Sequence, residues 1–304
     1  MIDIIGDVHG HAEALTYLLK NMGYVKKKGS YRHPENQTIF VGDLINKGPE
    51  STRTLKLVRA MVDSGQAKVV LGNHELNFII HFYAKSLHAA KPLKWSNGYG
   101  YFQKIYSEFY FKTKAVKEWV NWCQQLPLAI ELDELRVAHA CWHPESLETI
   151  KQHAPDLRCN DQLIQAFFEK ESAIIEALFL TTKGIEVITP KYMPLGKKKL
   201  SRPGRIKVKW WNIDGQDFGY HALATNPKKK FPDIELPIPP RLLKLSYPSD
   251  EKPLFMGHYN LNQQPAILRP NLTVLDFSLK KEQRLVAYRY QGEKELSNSN
   301  LVIQ

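Results

Sequence analysis

Cysteine is scarce, with only Cys123, Cys141 and Cys159 in 304 residues. Three thiols without paired spacing build neither a disulfide framework nor a structural zinc site, so they read as ordinary reduced side chains. No run approaches the roughly 18 consecutive apolar residues of a membrane span. The N-terminus enters the strand-like "IDIIGD" with no charged segment and cleavage site ahead of it. A cytoplasmic protein without membrane contact is the expectation. Acidic residues are in deficit: 31 Asp and Glu against 42 Lys and Arg give a net charge of +11.

Much of that excess sits in short clusters, Lys26 to Lys28, Lys197 to Lys199, Lys207 with Lys209, and Lys228 to Lys230. Such runs favour anionic partners, including phosphorylated substrates and nucleic acid. Separated loop triplets are more often simply solvated, and no nucleic-acid-binding module is recognisable, so nucleic acid ranks last among the partners. A hydrophobic fraction of 43% supplies a core large enough for the chain to fold alone.

Apolar periodicity alternates along the first third. "IDIIGD" reads as a strand, "HAEALTYLLKNM" as a helix, "TIFVGD" as a strand, "ESTRTLKLVRAMVDSG" as a helix, "AKVVLGN" as a strand and "HELNFIIHFYA" as a helix. That alternation predicts an α/β fold, a parallel sheet with helices on its faces. Further on, "LPLAIELDELRVAHA" reads as two strands around an acidic turn, delivering His139 to a strand end. "PLFMGHYN" presents His258 in the same way, and "LTVLDFSLKKEQRLVAYRY" reads as a closing hairpin with Asp276 in its first strand.

Residues from about 145 to 250 differ in texture. The helical "NDQLIQAFFEKESAIIEALFLTTKG" precedes basic, aromatic and proline-rich segments. We read one domain over 1–304, with this region as an inserted, substrate-selecting cap.

Ligands of open α/β sheets lie outside the carboxyl ends of the strands. Asp7, His9, Asp43, Asn73, His74, His139 and His258 all fall in glycine-marked loops or at such ends. Carboxylate, imidazole and amide oxygen together suit divalent first-row metals, and a shared carboxylate can hold two of them about 3.5–4 Å apart. Such a pair neutralises phosphate, orients it and acidifies a bound water. A lone histidine is usually structural; three glycine-marked loops in order, each leaving a strand, are much harder to obtain by accident.

"GDVHG", "GDLINKGP" and "GNHE", followed by "VAHACW" and "GHYN", closely resemble the ordered motifs of calcineurin-like metallophosphoesterases. The phosphoprotein phosphatase group with its bacterial relatives, and the symmetrical diadenosine tetraphosphate hydrolases, are the nearest branches. The resemblance covers residues 1 to 80, 137 to 144 and 254 to 260; the cap has no counterpart. It implies β-sheets flanked by helices in an α+β sandwich and a dinuclear centre, manganese first, with iron, nickel or zinc as alternatives. Asp7 and His9 would hold one metal, Asp43 would bridge, and Asn73, His139 and His258 would hold the other. His74 would be the general acid, a role suited to a side chain that titrates near neutrality.

Two positions depart from the family pattern. Where it normally reads Asp-Arg-Gly, this chain has Asn46 and Lys47 before Gly48. Asparagine can accept a hydrogen bond from the His74 ring but stabilises imidazolium less, so the pKa of His74 should fall. Lysine keeps the charge but loses the bidentate fork for phosphate. Many metallophosphoesterases also carry a histidine where this chain has Asn260; the phosphoprotein phosphatase group lacks it.

The function expected is a metal-dependent phosphomonoesterase acting on phosphoprotein or a small phosphoester. The alternatives are a dinucleoside polyphosphate hydrolase and a non-catalytic metal-binding module. His11, His33, His81, His88, His143, His153 and His221 are expected to be structural or solvated, with His143 near enough in sequence to His139 to reach substrate. For Asp276 a structural hydrogen bond outweighs a direct catalytic role, and for Trp210-Trp211 and Tyr99-Tyr101 core packing outweighs an aromatic wall over substrate.

Overall fold

The computed structural model describes residues 1–86, 113–188, 194–195, 198–199, 205–213, 218–229, 231–243, 245–279 and 282–304. His88, Tyr99 and Tyr101 lie outside them.

The expected strands and helices of the first third form at Ile2–Ile5, Ala12–Asn21, Gln37–Phe40, Ser51–Asp63, Ala67–Val69 and Asn73–Ser86. The three strands pair parallel, in register Ile5 with Phe40 and Phe40 with Val69. The sheet is nonetheless mixed. Glu282–Tyr290 adds antiparallel to the other edge of Ile2–Ile5, and both Asp276–Leu279 and Leu301–Ile303 pair with it.

Strand alternation sends successive side chains to opposite faces. Ile5, Phe40 and Val69 pack with Leu15, Leu18, Leu55 and Val58 of the two helices. Each such buried aliphatic side chain contributes about 1.5–3 kcal/mol. Ile4 and Ile39 face the opposite way and meet a second sheet rather than more helices. That sheet runs Leu272–Val274, Leu254–Met256, Arg136–Ala138, Ala129–Glu131, with the first three strands parallel and the last antiparallel. The architecture is an α+β sandwich with helices against the outer face of the first sheet.

Two elements differ from the sequence expectation. The first strand of the closing hairpin is really two. Leu272–Val274 belongs to the second sheet and Asp276–Leu279 to the first, so the chain changes sheets at Leu275. The long helical stretch after residue 160 is two helices, Asp161–Phe168 and Ser172–Lys183, separated where Lys170 takes a left-handed φ of 63°. Leu163, Phe167 and Leu178 from this pair join the helical core, and Trp210 and Trp211 pack between elements of the other. The tryptophans are 0% and 2% exposed, which is the core packing anticipated for them. Cys123, Cys141 and Cys159 are buried free thiols. Among the described residues no helix is long and apolar enough to cross a membrane.

Candidate metal centre

Each sheet contributes three parallel strands, and the six carboxyl ends deliver the polar residues. From the first sheet come Asp7 after Ile2–Ile5, Asp43 after Gln37–Phe40 and Asn73 after Ala67–Val69. From the second come His139 after Arg136–Ala138, His258 after Leu254–Met256 and Asp276 after Leu272–Val274. All six residues read from the sequence as metal ligands lie at this junction.

Glycine permits the two sheet edges to meet. A Cβ on Gly257 would stand 1.9 Å from Asp7 Oδ1, and one on Gly72 would stand 2.4 Å from Asp43 Oδ1. The His258 backbone N–H donates to Asp7 Oδ2 at 3.1 Å, and His139 Nδ1 donates to the Val41 carbonyl at 2.7 Å. That second bond turns His139 Nε2 toward Asp43 Oδ1, 3.3 Å away. Asn73 Oδ1 lies 3.2 Å from His139 Nε2 and 2.7 Å from His258 Nδ1. His9 Nε2 is 3.5 Å from Asp7 Oδ2 and 3.7 Å from Asp43 Oδ2. Three groups of side chains each bring one ligand atom per residue within 4.8 Å: His9, Asp43 and His74; Asp43, His139 and His258; Asp7, His9 and Asp276. Asp43 and His9 each belong to two of them.

Burial makes this arrangement costly without a cation. It pushes the Asp7 carboxyl well up, and the neighbouring Asp276 and Asp43 carboxylates push it further. Burial acts the same way on Asp43, but His139 and His74 more than reverse it and hold that carboxyl well down. His139 itself is pulled down by burial and then raised by Asp43 to about 9. His9 is lowered by burial and by Lys47, and His258 by burial and by Lys207. The buried His258 Nε2 has no hydrogen-bond partner. Clustered carboxylates, the neutral imidazoles of His9 and His258 and a partnerless ring nitrogen fit oxygen- and nitrogen-ligated divalent ions.

His74 is the second residue of the helix Asn73–Ser86, and its backbone N–H donates to Asp43 Oδ1 at 2.9 Å. The carboxylate thus sits at a helix N-terminus, the end that favours negative charge. His74 Nε2 lies 3.8 Å from Asp43 Oδ2. Its pKa is lowered to about 4, by burial first, with Asp43 opposing and Lys47 adding to the fall. Asn46 does approach this ring, but through its amide nitrogen, 2.8 Å from Nδ1, while its Oδ1 is buried without a partner. An amide that donates to Nδ1 leaves the ring proton on Nε2, the nitrogen facing Asp43. This is the reverse of the acceptor role expected from the sequence. The Lys47 ammonium lies against His9 Nε2, within the cluster.

Sequence reasoning gave no role to Glu75, although its letter closes "GNHE". The side chain is 0% exposed, and it accepts from the backbone N–H groups of Asp43 (2.9 Å), Leu44 (2.9 Å), Ile45 (3.2 Å) and Gly72 (3.2 Å). It ties the second loop to the third. Burial, with Asp43 nearby, raises its carboxyl to about 7. Asp276 makes the anticipated structural hydrogen bond, accepting from the Asn260 N–H at 2.7 Å, and also stands beside Asp7 and His9. His143 caps the helix Pro144–Lys151 by accepting from the Ser146 N–H, which gives it a structural role.

Residues 1–179 match the family model described as calcineurin-like phosphoesterase, and the chain belongs to that family of divalent-metal-dependent proteins. An asymmetrical bis(5′-nucleosyl)-tetraphosphatase PrpE of Oceanobacillus iheyensis is 49% identical over 74 residues, 24% of this chain and 30% of that one. A symmetrical bis(5′-nucleosyl)-tetraphosphatase of Vibrio parahaemolyticus is 33% identical over 159 residues, 51% of this chain and 50% of its own. The chain therefore spans between about a third and a half of the length of these curated relatives. Among solved structures, the cold-active protein-tyrosine phosphatase of a psychrophilic Shewanella covers 99% of this chain and 76% of its own, at a TM-score of 0.48 and 13% identity.

Proposed function

We propose that this protein is a divalent-metal-dependent phosphohydrolase. The observation that carries the reading is the convergence of six strand ends on three overlapping groups of ligand atoms that share Asp43 and His9. Asp7, His9, Asp43, Asn73, His139 and His258 would hold two ions, with Asp276 able to join on the Asp7 side. Manganese is the first choice, and iron, nickel or zinc suit the same donors. When bound, such ions supply charge to neutralise phosphate and a water acidic enough to attack at neutral pH.

The remaining work falls to side chains. His74 would protonate the departing oxygen from its imidazolium form; in the neutral ring, to which Asn46 donates at Nδ1, the Nε2–H serves only as a hydrogen-bond donor. Lys47, whose ammonium lies against His9 Nε2, would supply a cation for a phosphate oxygen. Glu75 holds the second and third loops in register. The region 145–250 is read as an insert that selects substrate within one domain; its side chains contribute to the same two cores as the sheets.

Two substrate classes compete. A phosphoanhydride such as a dinucleoside polyphosphate is supported by the names of the two relatives. A phosphomonoester, in protein or small molecule, is supported by the motif order alone. The manganese-loaded protein should be offered diadenosine tetraphosphate, phosphoserine and phosphotyrosine peptides, and an aryl phosphate, with and without chelator. Chelator-sensitive cleavage of one class above the others decides between them. No turnover of any would sink the hydrolase reading and leave a non-catalytic metal-binding module.

A further inference from the structure

A pocket of about 340 Å³ opens beside the metal centre, and the inserted region builds most of it. Its floor is Tyr259 and Asn260, the two residues after His258. Asn260 is held there in a left-handed conformation, φ 46°, by its N–H bond to Asp276.

The walls are basic. Lys207 reaches the His258 carbonyl with its ammonium at 2.5 Å, and so stands between pocket and metal ligands. Arg205 lies two residues away on the short strand Arg205–Lys207, on the same face, while Ile206 turns into the core. Lys228 lines the pocket as well, its backbone N–H donated to the Tyr220 hydroxyl at 2.9 Å. Asn226 ties the Asn260 carbonyl to this loop with a 2.9 Å bond. Among the described lining residues there are three cations and no carboxylate; just outside the lining, Glu186 pairs with Arg205 at 3.1 Å, which leaves a net excess of two positive charges.

The pocket's aromatic rings are not a base platform. Tyr220 and Phe231 stack on each other at 5.4 Å and 30°, and are only 3% and 8% exposed. They offer no open face to a nucleobase.

We propose that Arg205, Lys207 and Lys228 form a second phosphate subsite, which receives the phosphates next to the one held at the metal centre and so selects phosphoanhydrides over phosphomonoesters. The inference rests on the reading that the neighbouring cluster handles phosphate. Three point charges at one end of a polyanion suit a chain of phosphates better than a single one.

The test is binding, not turnover. Calorimetric titration of the full manganese-loaded chain compares adenosine 5′-(β,γ-methylene)triphosphate with adenosine monophosphate, two ligands with the same nucleoside and different phosphate counts. Wild type should prefer the triphosphate analogue by roughly 10- to 100-fold. In Arg205→Gln/Lys228→Gln that preference should fall to near unity, whereas Arg205→Lys/Lys228→Arg should keep most of it and thereby exclude misfolding as the cause. Absence of preference in wild type, or its survival in the Gln pair, overturns the subsite. Loss of affinity for an acidic phosphopeptide with the nucleotide preference intact also overturns it, in favour of a peptide-binding role. Because no turnover is read, failure of the hydrolase reading and failure of the subsite are separable.

Discussion

Asp3 and Asp7 lie four residues apart, are almost equally buried at 0% and 2% exposed, and live in opposite electrostatic worlds. Asp3 is compensated by the protein itself: it accepts from the Tyr24 hydroxyl (2.9 Å), Asn36 Nδ2 (2.9 Å), and Arg289 Nε (2.8 Å) and Nη2 (3.2 Å). Asp7 instead faces Asp276 and Asp43, and its carboxyl is pushed well up. A buried charge matched inside the fold serves structure, and one set against more of its own sign awaits a cation from outside. The backbone tells the same story. Among the described non-glycine residues, nine take positive φ, and His9, Asp43, Asn46, Lys47, His258 and Asn260 of these lie in the loops of the candidate metal centre. Strain of that kind persists only where the surrounding structure enforces it, and it gathers at functional sites.

The strongest way to break the contrast is to remove the shared carboxylate. Asp43→Asn should lose bound metal by elemental analysis and lower turnover by two orders of magnitude or more, roughly the scale on which metal-site groups act. Manganese at about 100 times its Kd should stabilise wild type by roughly 2.7 kcal/mol. The variant should show little of that gain in thermal unfolding. Retention of both metal content and turnover would remove Asp43 from the centre.

The paired aspartates make the second comparison. In metal-free protein Asp3→Asn strips Arg289 of its carboxylate and should cost about 3 kcal/mol in denaturant unfolding. Asp7→Asn relieves a cluster of like charges and should be neutral or stabilising, while abolishing metal binding. Equal losses from the two changes would contradict the distinction drawn between them.

Smaller effects are expected where the chain departs from its family. Asn46 donates to His74 Nδ1, whereas a carboxylate there can only accept. Asn46→Asp should therefore move the ring proton to Nδ1 and raise the His74 pKa from its depressed value, extending activity to higher pH. Lys47→Arg should tighten phosphate through a bidentate contact. Together they should raise turnover on an aryl phosphate several-fold, about 1 kcal/mol of barrier. If neither change nor their combination moves rate or pH profile, Asn46 and Lys47 have no part in orienting the acid or gripping phosphate.

The six residues read as ligands were legible as a set because each lies at or just after a strand end, all but His139 with a glycine beside or near it, and both features are local. Glu75 escaped because its partners are backbone N–H groups of a loop thirty residues earlier, a bond that leaves no mark on spacing. The strand division at Leu275 was invisible for a related reason: "LTVLDFSL" alternates smoothly, and only pairing shows that its halves belong to different sheets. The basic pocket was beyond reach as well. Lys207 and Lys228 appeared as members of separate lysine runs, and only the folded insert brings them to the loop after His258.

Lys183 offers the mildest test, a half-buried cation outside both clusters. At the end of the helix Ser172–Lys183 its ammonium sits over the Phe179 ring, 4.0 Å from the centroid. Burial lowers its pKa to about 8, with Glu186 opposing and Arg205 adding to the fall. Below pH 8 the folded protein carries this charge at a cost that the unfolded chain does not bear. Between about 8 and 10.5 the folded state has released the proton while the unfolded state keeps it, so the wild-type contribution to stability rises with pH through that window. Lys183→Met should thus stabilise at pH 7 by about 1 kcal/mol or less, since the side chain is partly exposed, and the advantage should shrink as pH approaches 10. Chemical denaturation at the two pH values reads the difference. A variant less stable than wild type at pH 7 would mean that contact with Phe179 and Glu186 already compensates Lys183, placing it with Asp3 rather than with Asp7.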